Sequence, residues 1–356
     1  MSASLFKNSS MVTGSIIISS ISVYIFQIIT ARVLGPEDYG VFGALMALLI
    51  IFTLPAGAIG SAITKFVSKL NSKEDFNAIG LLRKKLTKDV LIFGSIFLII
   101  ITLLSNSIAH LLKIKENISV IIIGITIIFS MLLAINKGII QGMKRFKVYS
   151  LNFIIESFSR LFLLIALLLL GLRINGAILS YGMAYFIAFL CIFPYIKKTK
   201  VKDKYEIKIK KIYKFILIVL MANIFIQLII NLPTLFVKYF YSSELTGYWA
   251  AALNLARVTL FFVTGISFVM FPEVAEKENN IERKNVFRNA LYLVLGTSIF
   301  MAFLFYLIPN LFILLLYGKE FLKAGEILKW MGIAMIGISV LHLYINYRLA
   351  RIEWNN

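Results

Sequence analysis

The chain is poor in the residues that build most catalytic and metal centres. Its one cysteine, Cys191, lies inside an apolar run, so disulfides and thiolate metal clusters have no support. Its two histidines, His110 and His342, are far apart, and no HExxH or related metal spacing occurs. A GxxxxGK[ST] phosphate loop is also missing, which argues against ATP hydrolysis on this chain, and no cofactor is implied. Acidic residues number 17 against 37 Lys and Arg, and charged residues together make up only 15% of the sequence, where about a quarter is usual for a soluble domain.

Hydrophobic residues fill the gap. They make up 60% of 356 residues, and the mean hydropathy is +0.89. Apolar runs of about twenty residues, enough to cross a hydrocarbon core of roughly 30 Å, recur along the whole length. The fold class is therefore all-α: a polytopic membrane protein with about ten spans, at 11–32, 39–64, 90–112, 118–136, 149–171, 175–196, 213–237, 247–271, 289–316 and 324–347. The first span is too long for a signal h-region and no small-residue cleavage site follows it, so no cleavable signal is expected.

A net charge of +20 would suggest nucleic acid in a soluble chain. Here the basic residues cluster in alternate connections, 65–89, 137–148, 197–212 and 272–288, which is the bias of membrane insertion rather than a nucleic-acid patch. Those loops and both termini are expected in the cytoplasm of a multi-pass plasma-membrane protein, with anionic lipids as their partners. Residues 65–89 mix Phe66, Val67, Leu70, Phe76, Leu81, Leu82 and Leu86 with lysines, which reads as an interfacial amphipathic connection. The most basic segment follows the sixth span. It divides the chain into a six-helix lobe at 1–200, a linker at 201–212 and a four-helix lobe at 213–356. A second lobe repeating the first would need two more spans, so the chain reads as C-terminally short.

The first two spans are joined by Leu34-Gly35-Pro36-Glu37-Asp38, where Gly35 supplies backbone freedom, Pro36 presets a turn, and the acids suit a helix start. A second copy follows. Setting Gly40 on Gly247 places Glu37 on Glu244, Phe42 on Trp249, Ala44 on Ala251 and Ile50 on Arg257. Two hairpins in the same orientation make a parallel repeat, an arrangement used by secondary transporters.

Polar groups inside the spans are the candidate substrate contacts. Glu156 and Arg160 stand four apart on the fifth span, either as an intrahelical pair or as part of a polar cavity lining. Asn254 and Arg257 stand three apart on the eighth, with no acid in that span. Arg257 either faces a cavity or pairs with another helix, Glu156 being the obvious partner. Asn223, Gln227 and Asn231 form an i+4 stripe before Pro233, suited to helix–helix bonding or to a sugar. Ser15, Ser19 and Ser22, with Gln27 beyond them, suit close packing. Arg32, at the external end of the first span, either snorkels or guards an entrance. Glu326 and Lys329 read as a structural pair, and His342 as weak evidence of anything more.

Three segments carry a resemblance: ARVLGPEDYGVFGAL, NKGIIQGMKRFKVYS at 136–150 and LLLYGKEFLKAGEILKW at 314–330. In that order, over essentially the whole chain, they resemble the polysaccharide-transporter, or oligosaccharide flippase, family. Its superfamily also holds multidrug and toxic-compound extruders and lipid II flippases. The resemblance implies two helical bundles around a central cavity and alternating access. It also implies a polyprenyl-pyrophosphate-linked oligosaccharide carried to the outer leaflet, with coupling to membrane potential, H+ or Na+. Arg257 and Arg160 would meet the pyrophosphate; Asn223, Gln227, Asn231 and Asn254 would meet the glycan. The competing readings are a cation-coupled drug extruder, a membrane glycosyltransferase or polymerase, for which the external turns are too short, and a degenerate scaffold.

Overall fold

Gly35 decides how the chain folds back on itself. A computed structural model describes residues 3–115, 117–196, 209–276 and 279–350. Its first helix, α1 (Ala3–Phe52), has 50 residues, about 75 Å at 1.5 Å per residue, far more than one membrane crossing. At Gly35 the backbone leaves helical angles, with φ 73° and ψ 173°, a conformation that side chains oppose. Pro36 then restarts the helix, so α1 is two spans joined at a turn.

The remaining described elements are helical too: α2 (Leu54–Asn71), α3 (Phe76–Leu111), α4 (Ile118–Gly142), α5 (Phe146–Leu169), α6 (Arg173–Ile192), α7 (Ile209–Phe240), α8 (Ser243–Ala256), α9 (Val258–Glu276), α10 (Asn280–Leu307), α11 (Pro309–Leu316) and α12 (Ala324–Ala350). Among the described residues, eight helices are long and apolar enough to cross a membrane, and α7, bent by 52° between Phe225 and Gln227, makes a ninth. The first of the eight runs from Met11 to Asn71, and dividing it at Gly35 brings the total to the expected ten. The third span, Phe76–Leu111, is longer than expected, at 36 residues. The ninth ends at Leu307, and Pro309 opens the separate short helix α11.

The chain separates into two compact units, Met1–Ser243 and Glu244–Asn356. In the first, α4 packs on α2, α3 and α6, while α5 packs on α1 and α6. The connection at 65–89 is built from the ends of two helices. Residues 65–71 finish α2, Asp75 caps α3 by accepting from the Ala78 amide at 3.0 Å, and Val67, Leu82 and Leu86 bury in the core with Ile139 and Ile192. α7 also belongs here, packed on α1 and α2 with Ile212 in the same core. By packing, the first unit thus runs through α7 to Ser243. Most of the expected linker, 201–208, lies outside the described residues. In the second unit, α9, α10 and α12 pack together around Val263, Val294 and Leu343, with α11 against α12.

Both hairpin turns are braced. Arg173 Nε and Nη2 donate to Asp38 Oδ2 at 2.8 and 2.5 Å, and the Tyr39 hydroxyl, fully buried, meets Gln27 Oε1 at 3.1 Å. In the second unit Glu244 accepts from the Tyr248 hydroxyl and faces Lys323 Nζ at 3.8 Å.

Candidate functional site

A spacing of four puts Glu156 and Arg160 on one face of α5, and Arg160 Nη2 donates to Glu156 Oε1 at 2.6 Å. The intrahelical pair is present, but it has a third member. Lys137 Nζ donates to the other oxygen, Glu156 Oε2, at 2.5 Å. The sequence reading placed Lys137 at the start of a cytoplasmic loop. Instead, α4 continues to Gly142, because Gly138 and Gly142 let it lie directly against α2. A Cβ at Gly138 would fall 2.8 Å from the Gly60 carbonyl oxygen, and one at Gly142 2.7 Å from Val67 Cβ. Here the NKGIIQG segment serves close helix packing, and the same packing carries Lys137 into the helix bundle.

Aromatic rings complete the cluster. The Arg160 guanidinium lies 4.2 Å from the Tyr181 ring centre and 5.4 Å from that of Tyr185, both on α6. Lys137 Nζ lies 3.8 Å from the Phe153 ring centre. Cation–π contact helps hold a desolvated cation. Arg160 is only 7% exposed, while the side chains of Lys137 and Glu156 keep 13% and 14% of their surface open. Two cations share one carboxylate, so the cluster carries an excess positive charge. Each charge in hydrocarbon costs at least ~2.5 kcal/mol. A donor is left over as well: buried Arg160 Nε has no hydrogen-bond partner among the described residues.

The amide stripe of α7 does not form one lining. Asn231 is buried and donates through Nδ2 to Gln227, at 2.9 Å to its carbonyl and 3.0 Å to Oε1. Asn223 is exposed and donates to the Val219 carbonyl at 2.8 Å. The bend at Phe225–Gln227 separates it from the other two. The serine stripe of α1 is packing: Ser19 and Ser22 donate to the Phe153 and Ser157 carbonyls of α5. Arg32 is exposed three residues before Gly35. Lys329 donates to Glu326 at 2.8 Å, and the Asn346 amide donates to the His342 carbonyl, also at 2.8 Å.

In the second unit Arg257 stands at a break. α8 ends at Ala256 and α9 begins at Val258. The Arg257 amide still donates to Leu253 O at 3.0 Å, but the Leu260 amide reaches back only three residues, to Arg257 O at 2.9 Å. Asn254 Oδ1 accepts from Arg257 Nη1 at 3.4 Å. The first unit repeats this backbone pattern at Thr53, between α1 and α2. There the Thr53 amide donates to Leu49 O at 2.9 Å and the Ala56 amide to Thr53 O at 3.0 Å. Matched by their breaks, Arg257 corresponds to Thr53 rather than to Ile50. Glu156, the partner considered for Arg257, has both oxygens engaged within the first unit. Among the described residues no group of three His, Cys, Asp or Glu could hold a metal ion.

Comparison with known proteins adds identity to this geometry. The family described as polysaccharide biosynthesis protein matches residues 5–278. An uncharacterized membrane protein of Methanocaldococcus jannaschii, MJ1375, is 26% identical over 307 residues, covering 81% of this chain and 72% of that protein. An inward-facing multidrug resistance MATE family transporter of the MOP superfamily superposes with a TM-score of 0.72 at 13% identity, covering 93% of this chain and 83% of that one. The lipid II flippase MurJ, in an inward closed conformation, gives 0.71 at 17% identity, covering 94% and 76%. At these identities the two structures establish a shared fold.

Proposed function

From the premise that the chain belongs to the polysaccharide biosynthesis protein family, we propose that it is a flippase. It moves a polyprenyl-pyrophosphate-linked oligosaccharide from the cytoplasmic to the outer leaflet of the plasma membrane. Its basic loops face the cytoplasm against anionic lipids, and alternating access is driven by membrane potential or by an H+ or Na+ gradient.

The observation that carries this reading is Arg257. α8 has 14 residues, so Arg257 lies about 21 Å along from its start, well inside the span, at a break matched by one in the other unit. Interrupted segments in corresponding positions of two repeats are the best pointer to a transporter's binding site. A guanidinium there suits phosphate oxygens, and Asn254 supplies an amide beside it for the glycan. Gln227 and Asn231 in α7 are the further glycan contacts, with Asn223 and Arg32 as contacts on the approach. The MurJ comparison, a protein named for flipping a lipid-linked molecule, agrees with this cargo class. A cation-coupled extruder needs a carboxylate open to its cargo, and Glu156 is held by two cations.

The test is complementation of a strain lacking its own lipid-linked oligosaccharide flippase. Arg257→Ala abolishes export while the protein stays inserted at wild-type level, and Arg257→Lys retains part of it, because an ammonium cannot grip phosphate in a two-pronged way. Full export by Arg257→Ala overturns the assignment. No export by the wild-type chain favours a non-transporting role.

A further inference from the structure

Glu156 holds Lys137 and Arg160 through separate oxygens, at 2.5 and 2.6 Å. One carboxylate bridging two cations on neighbouring helices is the contact a phosphate would make with the same pair. The cluster is better suited to a phosphate than to the carboxylate that occupies it. Its cations outnumber its anion, and Arg160 Nε is a buried donor without an acceptor among the described residues. A phosphate group brings a charge of about −1.5 to −2 and three acceptor oxygens, against one unit of charge and two oxygens for Glu156. Lys137 and Glu156 keep 13% and 14% of their side-chain surface open, so the cluster is not sealed.

Building on the pyrophosphate cargo proposed above, we infer that Glu156 is an internal stand-in for the cargo's phosphate. In the empty protein it offsets part of the charge of Lys137 and Arg160, which could not otherwise stay buried. When cargo enters, a phosphate oxygen takes over Lys137 and uses the free Arg160 Nε, while Glu156 keeps Arg160 Nη2 and holds the guanidinium in place. When cargo leaves, Glu156 returns to Lys137, so the carboxylate competes with the cargo and hastens its release. Lys137 becomes a cargo-binding residue and Glu156 a positioning residue that weakens binding.

The experiment measures binding of farnesyl pyrophosphate and of inorganic pyrophosphate to the full chain in nanodiscs. Glu156→Gln should bind farnesyl pyrophosphate at least about fivefold more tightly than wild type, and Lys137→Met about tenfold more weakly. The double variant should lose the gain, because the gain needs Lys137. Glu156→Gln that keeps the wild-type melting temperature yet binds no more tightly overturns the inference, as does a gain that survives in the double variant. Should Glu156→Gln fold poorly, Glu156→Asp keeps the charge but is too short to bridge both cations. It should also gain affinity, and wild-type affinity in that variant overturns the inference equally. If Glu156→Gln tightens both ligands alike, the stand-in role stands and the lipid-linked cargo falls. If Arg257→Ala still abolishes export while every Glu156 variant binds like wild type, the cargo stands and the stand-in role falls.

Discussion

In the first hairpin the second helix breaks at Thr53, and in the second hairpin it breaks at Arg257, with the same pair of backbone hydrogen bonds around each break. The residues filling the breaks differ. Thr53 closes its own: Oγ1 donates to the Leu49 and Ile50 carbonyls at 2.8 and 3.1 Å, a back-bond that bends helices. A proline in the first two positions of α2 completes the interruption. Arg257 has neither device, and its Nη1 donates to Asn254 Oδ1 at 3.4 Å. The helices beyond the breaks differ too. α2 is held against α4 with no room at Gly138 or Gly142, whereas nothing lies within 4 Å of a Cβ placed at Gly265 of α9. One backbone design thus carries a self-bonded threonine in the first unit and an arginine in the second.

The contrast can be broken by substitution, and thermal unfolding in nanodiscs reads most of the outcomes. Gly142→Val should have the largest effect, because its Cβ would fall 2.7 Å from Val67 Cβ and 2.9 Å from the Thr64 carbonyl oxygen. A loss of about 3 kcal/mol is expected, and wild-type stability would remove the claim that α2 is clamped. Thr53→Val deletes the self-bonding hydroxyl and should cost about 1 kcal/mol with export retained. Loss of export comparable to that of Arg257→Ala would show that both breaks bind cargo. Gly265→Ala should go the other way, stabilising by about 0.5 kcal/mol through helix propensity; a marked loss would reveal a packing partner. Smallest are the braces at the hairpin turns. Asp38→Asn should cost no more than about 0.5 kcal/mol, since Arg173 is largely exposed, and Glu244→Gln less, its lysine being farther away.

Much of this was legible in the sequence. Gly35-Pro36-Glu37-Asp38 announced its turn through backbone chemistry alone, and length and apolarity marked the spans. Glu156 and Arg160 were paired by spacing. Lys137 was missed because a lysine ending an apolar run resembles the start of a loop. The available signal was the four-residue spacing of Gly138 and Gly142, which continues a helix face past it. The break at Arg257 was hidden because no proline or glycine accompanies it, and hydrophobic pattern does not record a hydrogen bond that shortens from four residues to three. The packing of α7 on α1 and α2 could not be read at all, because an apolar helix flanked by a basic segment carries no mark of which neighbours it meets.

The position of α7 bears on how the molecule can be divided in the laboratory. Ile196 and Ile212, on either side of the basic segment, bury in one core, the Tyr213 hydroxyl donates to Asp89, and Lys65 and Phe66 flank the Phe215 ring. A fragment stopped in the basic segment would expose apolar surface on α1 and α2 that α7 normally covers, and would invite aggregation. A fragment carried through Ser243 keeps that surface covered and is the natural unit for expression.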